Sequence, residues 1–207
     1  MVSQPKRHFI TPVQYLQYEK ESDVKSEYVD GVIVAMAGAS RQHEAISASI
    51  GGELYRFLRP AGCTSFTSNM RTRVLATNRY YYPDYTIVCG KPRFEVLEGV
   101  DSLLNPTIIF EILSESTKRL DRAEKWLAYQ QLDSLSTYVL VHQDRPLVEI
   151  YRRDPATNDW DIVSVDGLES TLSLPAISGE VPLAQLYANV EFPQPVDNGS
   201  DFQLTEP

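Results

Sequence analysis

Residues 107–113 read Thr-Ile-Ile-Phe-Glu-Ile-Leu, and this stretch decides the class of fold. Its apolar side chains fall on both alternating faces, which is typical of a central strand that is covered from both sides. Residues 114–117 are rich in helix-capping side chains, and a helix is predicted from about Lys118 to Leu132. The stretch therefore predicts a buried strand that runs directly into a helix.

Helical and extended segments are interspersed on both sides of this strand. A capped helix is predicted from Thr11, a hairpin turns at Asp30-Gly31, and a long helix runs from Arg41 to about Arg59. Residues 90–105 are expected to form a polar connection with some β character. Further strands are predicted at 137–141, 147–152, 160–165 and 171–174 and within 63–89, with a short helix at 182–187. This order predicts an α+β (mixed α/β) fold.

Composition limits the classes of function. The chain has 207 residues and a formal net charge of −9, which repels nucleic acid except at a local basic patch. No stretch approaches the ~18 apolar residues of a membrane span, and the charged N-terminal residues have no apolar stretch behind them, so they are not expected to form a secretory signal. Cys63 and Cys89 form no C-x-x-C pair, so a reducing cytoplasm is expected. We predict one domain over residues 1–192 and a loose tail over residues 193–207.

Two carboxylates stand in unusual surroundings. Asp84 follows Tyr82-Pro83 and opens a β run, whereas Glu111 lies inside the apolar strand and must reach a cation, a donor or a cleft. Their separation of 27 residues suits two neighbouring strands joined by a loop. Two carboxylates repel each other unless a positive charge lies between them, and Mg²⁺ accepts few protein carboxylates together with phosphate oxygens. The pair therefore predicts a divalent metal site.

Each acid also has a purely structural interpretation. Pro-Asp is a common turn pair, so one alternative is that Asp84 caps the entry to a strand. Glu111 is alternatively a core acid paired with a structural Arg or Lys. Both alternatives stay open at the level of the sequence.

Basic residues follow the buried strand. Lys118, Arg122 and Lys125 are spaced i, i+4 and i+7 and are expected to share one face of the next helix. Lys125 is far enough from Glu111 for the helix to fold back across the strand end. The alternative is a solvated surface on which Lys125 pairs with Asp121.

Three other residues are candidates for the same site. Arg71 and Arg73 alternate on one face of a strand and are candidates for phosphate contacts, the alternative being that they face solvent. His43 opens the long helix beside Glu44 and is a candidate metal ligand or proton carrier. An exposed side chain without a function is the alternative for His43.

Four motifs taken together resemble the Uma-two family of restriction-type endonucleases within the PD-(D/E)xK nuclease superfamily. They are M-A-G-A-S-x-x-H-E at 36–44, Y-P-D at 82–84, F-E-I-L-S-x-S-T at 110–117 and D-x-x-x-K-x-x-x-Y at 121–129. The resemblance covers about residues 10–190. It implies a restriction-endonuclease-like core with a mixed β-sheet flanked by helices.

The resemblance also implies roles for individual residues. In that superfamily the Asp of the Pro-Asp pair and the Glu of the next strand hold Mg²⁺ or Mn²⁺, which maps onto Asp84 and Glu111. The lysine that normally stands two residues after the Glu is Leu113 here. Some branches move this lysine to the following helix, which Lys125 matches. Some branches place a His or Glu on the first core helix near the metal, which nominates His43 or Glu44, and His43 is assigned as a further ligand and catalytic residue.

The resemblance implies a Mg²⁺-dependent endonuclease that hydrolyses DNA phosphodiester bonds. The DNA is expected to contact a local basic patch to which Arg71, Arg73, Lys118 and Arg122 are assigned. Because restriction-type nucleases often cut two strands with two subunits, a homodimer is also implied. Two alternatives stay open: a catalytically inactive nuclease fold that serves as a binding or assembly module, and a hydrolase of small phosphorylated substrates.

Overall fold

The structure is a computed structural model that describes residues 9–114 and 118–192. Two six-stranded sheets and a separate hairpin account for its strands. The helices are α1 (Pro12–Glu21), α2 (Arg41–Leu58), α3 (Trp126–Tyr129) and α4 (Leu183–Leu186). The strands are β1 (Ser26–Val29), β2 (Val32–Ala35), β3 (Cys63–Thr67), β4 (Thr72–Val74), β5 (Arg79–Tyr81), β6 (Tyr85–Cys89), β7 (Phe94–Leu97), β8 (Val100–Leu103), β9 (Ile108–Leu113), β10 (Thr137–His142), β11 (Leu147–Arg153), β12 (Trp160–Asp166), β13 (Thr171–Leu174) and β14 (Gly179–Pro182).

β9, the strand that the sequence predicts to be central, lies in the interior of the main sheet. The main sheet has the order β12-β11-β10-β9-β6-β3, and all six residues of β9 are buried. β9 pairs in parallel with β10 and antiparallel with β6, so the sheet is mixed. The prediction of an α+β (mixed α/β) fold with a mixed sheet flanked by helices is confirmed.

Each face of the main sheet is covered by a different layer. On one face Phe110 and Ile112 pack in a cluster with α2, α4 and the β13–β14 hairpin. On the other face Ile109 and Leu113 pack with α3 and with Tyr81 of β5, which belongs to the second sheet. That second sheet has the order β2-β1-β5-β4-β8-β7. The even positions of β9 therefore face α2, and its odd positions, Glu111 included, face α3 and the second sheet.

The first turn of the long helix α2 is held in place by a side-chain cap and by packing against the main sheet. The Ser40 side chain caps the helix by accepting a hydrogen bond from the backbone N–H of His43 at 3.1 Å. Ile46, Ile50 and Leu54 recur at helical spacing and are buried against the main sheet. This packing fixes the rotation of the helix and sets His43 in its first turn.

Some elements differ from the sequence prediction. Residues 90–105, expected as a polar connection with some β character, contain the two complete hairpin strands β7 and β8. β7 is an edge strand with the apolar side chains of Phe94 and Val96 exposed, so burial in this hairpin does not follow the alternation of apolar and polar residues. Leu120–Lys125 forms a π-helical turn, which is wider than an α-helical turn. Lys118, Arg122 and Lys125 consequently do not share one face, because Lys125 turns to Glu111 and Arg122 turns to Glu149.

Two further findings concern the cysteines and membrane spans. Cys63 and Cys89 are directly paired across β3 and β6 and form a disulfide, which the sequence analysis did not predict. Disulfides are rare in reducing compartments, so the expected cytoplasmic location stays a prediction. Over residues 9–114 and 118–192 there is no helix with the length and apolar character needed to cross a membrane. The expected tail at 193–207 lies outside the described residues.

Candidate active site

The site begins with the register between β6 and β9. Tyr85 pairs with Phe110 and Thr86 with Ile109, so the same register continued by one residue sets Asp84 opposite Glu111. Side chains that face each other across antiparallel strands have Cβ atoms about 5 Å apart. Asp84 Oδ2 also accepts a hydrogen bond of 2.6 Å from the backbone N–H of Ile112. The structure thus brings the two predicted acids together, with Asp84 anchored to the strand that carries Glu111.

A buried lysine lies at the centre of three carboxylates. Lys125 Nζ is 3.2 Å from Glu111 Oε1, 3.1 Å from Glu27 Oε1 and 3.2 Å from Asp121 Oδ1. All four side chains are nearly inaccessible to solvent, and Lys125 is 5% exposed. The pairing of Lys125 with Asp121 was expected only on a solvated surface. Here it is buried, because the π-helical turn carries both residues over the end of β9.

Glu111 has one engaged oxygen and one oxygen without a donor. Its Oε1 accepts hydrogen bonds from Lys125 Nζ at 3.2 Å and from the Tyr129 hydroxyl at 3.0 Å. Its Oε2 receives no hydrogen bond from the described residues. The carboxylate is therefore held firmly on one side and retains a lone-pair site on the other.

The buried cluster holds three acids and one lysine, and this imbalance shifts the pKa values of Glu111 and Lys125. Burial raises the pKa of Glu111 well above its ordinary value, which Lys125 opposes and Asp121, Asp84 and Glu27 reinforce. Burial alone would lower the pKa of the Lys125 amine, but Glu111, Glu27 and Asp121 together raise it well above its ordinary value. Lys125 is therefore a cation at neutral pH, and the cluster retains an excess of negative charge.

His43 contacts Asp84 from the α2 side. Its Nε2 lies 3.1 Å from Asp84 Oδ1. Burial by itself would lower the pKa of His43, but the hydrogen bond and charge of Asp84, with Glu44 and Asp121, raise it. The other ring nitrogen, Nδ1, is buried without a hydrogen bond, since Glu44 at 3.9 Å is too distant. This geometry makes His43 a partner that orients Asp84.

The donor set suits Mg²⁺ better than a metal that needs a protein cage. Among the described residues, no three His, Cys, Asp or Glu side chains are gathered in a group that could hold a metal ion. Mg²⁺ is typically bound through one or two carboxylates, several waters and phosphate oxygens. Asp84 and Glu111 provide two neighbouring carboxylates, and no donor among residues 9–114 and 118–192 bonds Glu111 Oε2. The pair fits the metal, with His43 supporting Asp84 from behind.

The predicted arginines of the second sheet lie in internal ion pairs. Arg71 is 5% exposed, contacts Glu19 at 3.3 Å and stacks over the rings of Tyr15 and Tyr82. Arg73 pairs with Glu95. An arginine that is removed from solvent needs an acidic partner. These ion pairs therefore explain the presence of both arginines, and no bound phosphate is required. The structure does not bring Arg71 or Arg73 to Glu111.

The predicted basic residues of the helix lie beside the site. Lys118 is exposed at the start of the helix, and Arg122 is partly buried. The Arg122 guanidinium donates to both carboxylate oxygens of Glu149, and its Nη2 lies 2.9 Å from His142 Nε2. Both residues line a cavity at the ends of β9 and β10.

Sequence reasoning missed Glu27 and Tyr129 as members of the site. Glu27 also accepts a hydrogen bond of 3.2 Å from the backbone N–H of Tyr82, so it links β1 to the Pro-Asp motif. Strand alternation puts Glu27 on the face opposite to Tyr28, but no local signal tells that this face is buried against a helix 98 residues later. Tyr129, four residues after Lys125, carries a detectable signal, because i and i+4 residues of a helix share a face.

Comparisons with known proteins show the family to which the chain belongs. The model of the Uma2 family, described as "Putative restriction endonuclease", matches residues 12–185. The chain belongs to the Uma2 family. The match includes Asp84, Glu111, Lys125 and His43.

Similar proteins support the same family and fold. The chain is 28% identical over 183 residues to the uncharacterized protein slr1290 of Synechocystis sp., covering 88% of this chain and 94% of that protein. It is 30% identical over 144 residues to the uncharacterized protein sll1609 of the same organism, covering 70% and 81% respectively. A crystal structure described as a putative nuclease of DUF820 from Anabaena variabilis has a TM-score of 0.67 at 16% identity, covering 85% of this chain and 97% of that chain. This Uma2 chain therefore has a fold similar to that of the Anabaena protein.

Proposed function

We propose that this Uma2 chain is a divalent-metal-dependent endonuclease that hydrolyses phosphodiester bonds of DNA. The observation that carries the proposal is the hydrogen bond from the Ile112 N–H that holds Asp84 against the strand that carries Glu111, with the Lys125 amine 3.2 Å from Glu111. These residue types match the acid, acid and lysine set of the nuclease superfamily that the sequence resembles. Family membership supports a restriction-endonuclease-like nuclease, and the geometry nominates the residues.

Asp84 and Glu111 would hold Mg²⁺ or Mn²⁺, which supplies a bound water of lowered pKa and positive charge beside the phosphoryl oxygens. Asp84 is prepared for this by two contacts that fix both of its oxygens, to His43 and to the Ile112 N–H. Tyr129 and Lys125 fix one oxygen of Glu111 and leave the other without a donor. The carboxylates are thus oriented by the protein before substrate arrives.

Lys125 acts as a cation in this scheme. Its raised pKa keeps the amine protonated at neutral pH, so it does not remove a proton from the attacking water. A fixed ammonium group instead stabilises the negative charge that develops on the phosphoryl oxygens in the transition state. Glu27 and Asp121 keep the amine in place while Glu111 engages the metal.

Nicking of supercoiled plasmid DNA tests the proposal. The purified chain should convert the plasmid to open-circular or linear DNA in Mg²⁺ or Mn²⁺, and EDTA should abolish the conversion. A Glu111→Gln chain prepared in parallel controls for contaminating nuclease and should leave the plasmid intact. Equal cleavage by both chains, or cleavage that persists in EDTA, would reject the assignment.

A second candidate is a nuclease-fold module that binds or assembles without cleaving. It is favoured by the absence of a three-ligand group among the described residues and by the occupation of Glu111 Oε1 by Lys125 and Tyr129. In such a protein Lys125 simply neutralises the acids, and no metal is needed.

Thermal melting in metal separates the two candidates. A ligand that binds only the native state stabilises it by about 2.7 kcal/mol at 100 times its Kd. For a chain of this length that raises the Tm by roughly 5–10 °C. We expect such a rise in the wild type with 10 mM Mg²⁺ or Mn²⁺ but not with equivalent NaCl. An unchanged Tm in both metals would favour the binding module.

A further inference from the structure

A concave basic site lies beside the candidate active site and has no role in the scheme above. It is a cavity of about 190 Å³ at the carboxyl ends of the parallel strands β9 and β10. Its walls are Leu113 and Ser114 after β9, Lys118 and Arg122 of the helical segment, and residues 142–145 at the β10–β11 turn. In open sheets, ligands commonly bind in the crevice at the carboxyl ends of parallel strands.

The charge of this cavity opposes that of the chain. Of the described residues that line it, Lys118, Arg122 and Arg145 are basic and Asp144 is acidic. The chain as a whole carries −9, so a concave surface with a positive excess is a local exception. Such a surface raises the local concentration of anions.

Arg122 presents its guanidinium in a fixed orientation. Nε and Nη2 bond to Glu149, which orients the planar group on one side. Nη1 bonds to no acceptor among the described residues, and about a third of the side chain is exposed. Fixed guanidinium groups of this kind suit phosphate oxygens better than flexible amines do. Arg145 is exposed on the turn opposite and provides the second guanidinium.

The cavity and the candidate active site share structural elements. Leu113 follows Glu111 by two residues in β9, which is about 7 Å along the strand. Gln143 accepts a hydrogen bond of 2.7 Å from Ser40, the residue that caps α2. The first turn of α2 carries His43, which contacts Asp84. An anion in this cavity would therefore lie close to the metal-binding acids.

We propose that this cavity binds a phosphate group of the nucleic acid strand, next to the phosphate that is cleaved. The inference rests on the proposed function and adds a binding site to it. Arg122 and Arg145 contact the phosphate oxygens, and the occupied cavity fixes the register of the strand over Asp84 and Glu111. The phosphate is either an internal phosphodiester or a phosphorylated end.

Binding in EDTA tests the site without any cleavage. Affinity for a labelled 12-nucleotide strand is measured by fluorescence anisotropy for wild type, Arg145→Glu and Arg59→Glu, each with a 5′-phosphate and with a 5′-hydroxyl. Arg59 is the matched control, because it is exposed at the far end of α2, about 27 Å from Ser40. Arg145→Glu should weaken binding at least 10-fold and lower the salt slope, whereas Arg59→Glu should change binding less than 2-fold.

Comparison of the 5′-phosphate strand with the 5′-hydroxyl strand shows whether the cavity binds a terminal or an internal phosphate. Tighter binding of the 5′-phosphorylated strand, lost in Arg145→Glu, assigns a terminal phosphate, and equal affinity for both strands assigns an internal one. Equal losses in the two variants, or no loss in Arg145→Glu, would overturn the proposal.

Inorganic phosphate separates failure of the cavity from failure of the proposed function. In EDTA, 10 mM phosphate should raise the Tm of wild type and Arg59→Glu but not that of Arg145→Glu, at constant ionic strength. If this pattern appears while no strand binds, the cavity is an anion site and the DNA-directed function is wrong. If phosphate raises all three Tm values equally, the cavity is not the site.

Discussion

Lys125→Met is expected to destabilise the fold by about 3–5 kcal/mol at pH 7, the range found when one partner of a buried ion pair is removed. The reason is that Glu27, Glu111 and Asp121 all lie within 3.2 Å of the Lys125 amine and are nearly inaccessible to solvent. Without the amine, three buried carboxylates repel each other with no cation between them. Methionine keeps the length and apolar character of the side chain, so the change removes mainly the charge.

The loss should shrink as the pH falls. The pKa of Lys125 is raised in the folded state, so its stabilising contribution is complete below its unfolded pKa of about 10.4 and is lost only as the pH rises through the folded value. In the variant, acidification protonates Glu111, whose pKa is already raised in the wild type, and removes its repulsion with the other acids. The difference between wild type and variant should therefore be largest near neutral pH and smallest near pH 4.

Urea unfolding of the two chains at pH 4.5, 6 and 7.5 measures this difference. Lys91→Met is the matched control, because Lys91 is exposed in a loop and its loss should change stability by less than about 0.5 kcal/mol. A Lys125→Met chain as stable as the control at pH 7.5 would show that the amine lies in solvent. Mg²⁺ should restore part of the stability of Lys125→Met if the acids bind the metal.

The main sheet and the acid pair could both be predicted from the sequence, and for the same physical reason. A strand that is apolar on both faces can only be central, and a single Glu within it needs a specific partner. These two facts predict that Glu111 lies in a buried strand and that Lys125, 14 residues later, is a candidate for its partner. The π-helical turn could not be predicted from the sequence, because it depends on packing over the end of β9. The prediction that three basic residues share one face failed for that reason.

The second sheet shows where sequence reasoning ends. Its short hairpin strands β7 and β8 alternate weakly, so pattern alone indicated only some β character within a polar connection. Glu27 and Arg73 lie in this sheet and Arg71 directly precedes β4, and the partners of all three are set by tertiary packing. Arg71 was a candidate for phosphate contacts because it alternates with Arg73 on one face of a predicted strand, but it lies in an ion pair with Glu19 of α1. Glu27 was unremarkable in sequence and yet contacts Lys125.

Glu111→Gln is expected to abolish cleavage and at the same time to stabilise the fold. Glutamine keeps the shape of the side chain and an oxygen that accepts hydrogen bonds from Lys125 and Tyr129. It removes one negative charge from a cluster in which acids exceed cations, while Glu27 and Asp121 continue to pair with Lys125. We expect a gain of about 1 kcal/mol at pH 7, or a rise in Tm of roughly 2–4 °C.

The sign of the pH dependence follows from the raised pKa of Glu111. The folded chain binds a proton at this carboxyl more tightly than the unfolded chain does, so wild-type stability falls as the pH rises from about 4.3 through the folded value. Glutamine does not titrate, and its advantage should be close to zero near pH 4 and grow toward neutral pH. Thermal melts of both chains across this range measure the difference, and Glu124→Gln, an exposed change in the same helical segment, is the control.

The activity of Glu111→Gln should fall at least about 10³-fold, because metal-ion catalysis contributes several kcal/mol and each 1.36 kcal/mol is a factor of ten in rate. A neutral amide is a poor ligand for Mg²⁺, and the metal-induced rise in Tm should disappear with the cleavage. A more stable chain that no longer cleaves identifies Glu111 as an acid retained for chemistry at a cost to the fold. A less stable chain at every pH would mean instead that Glu111 serves mainly as the structural partner of Lys125.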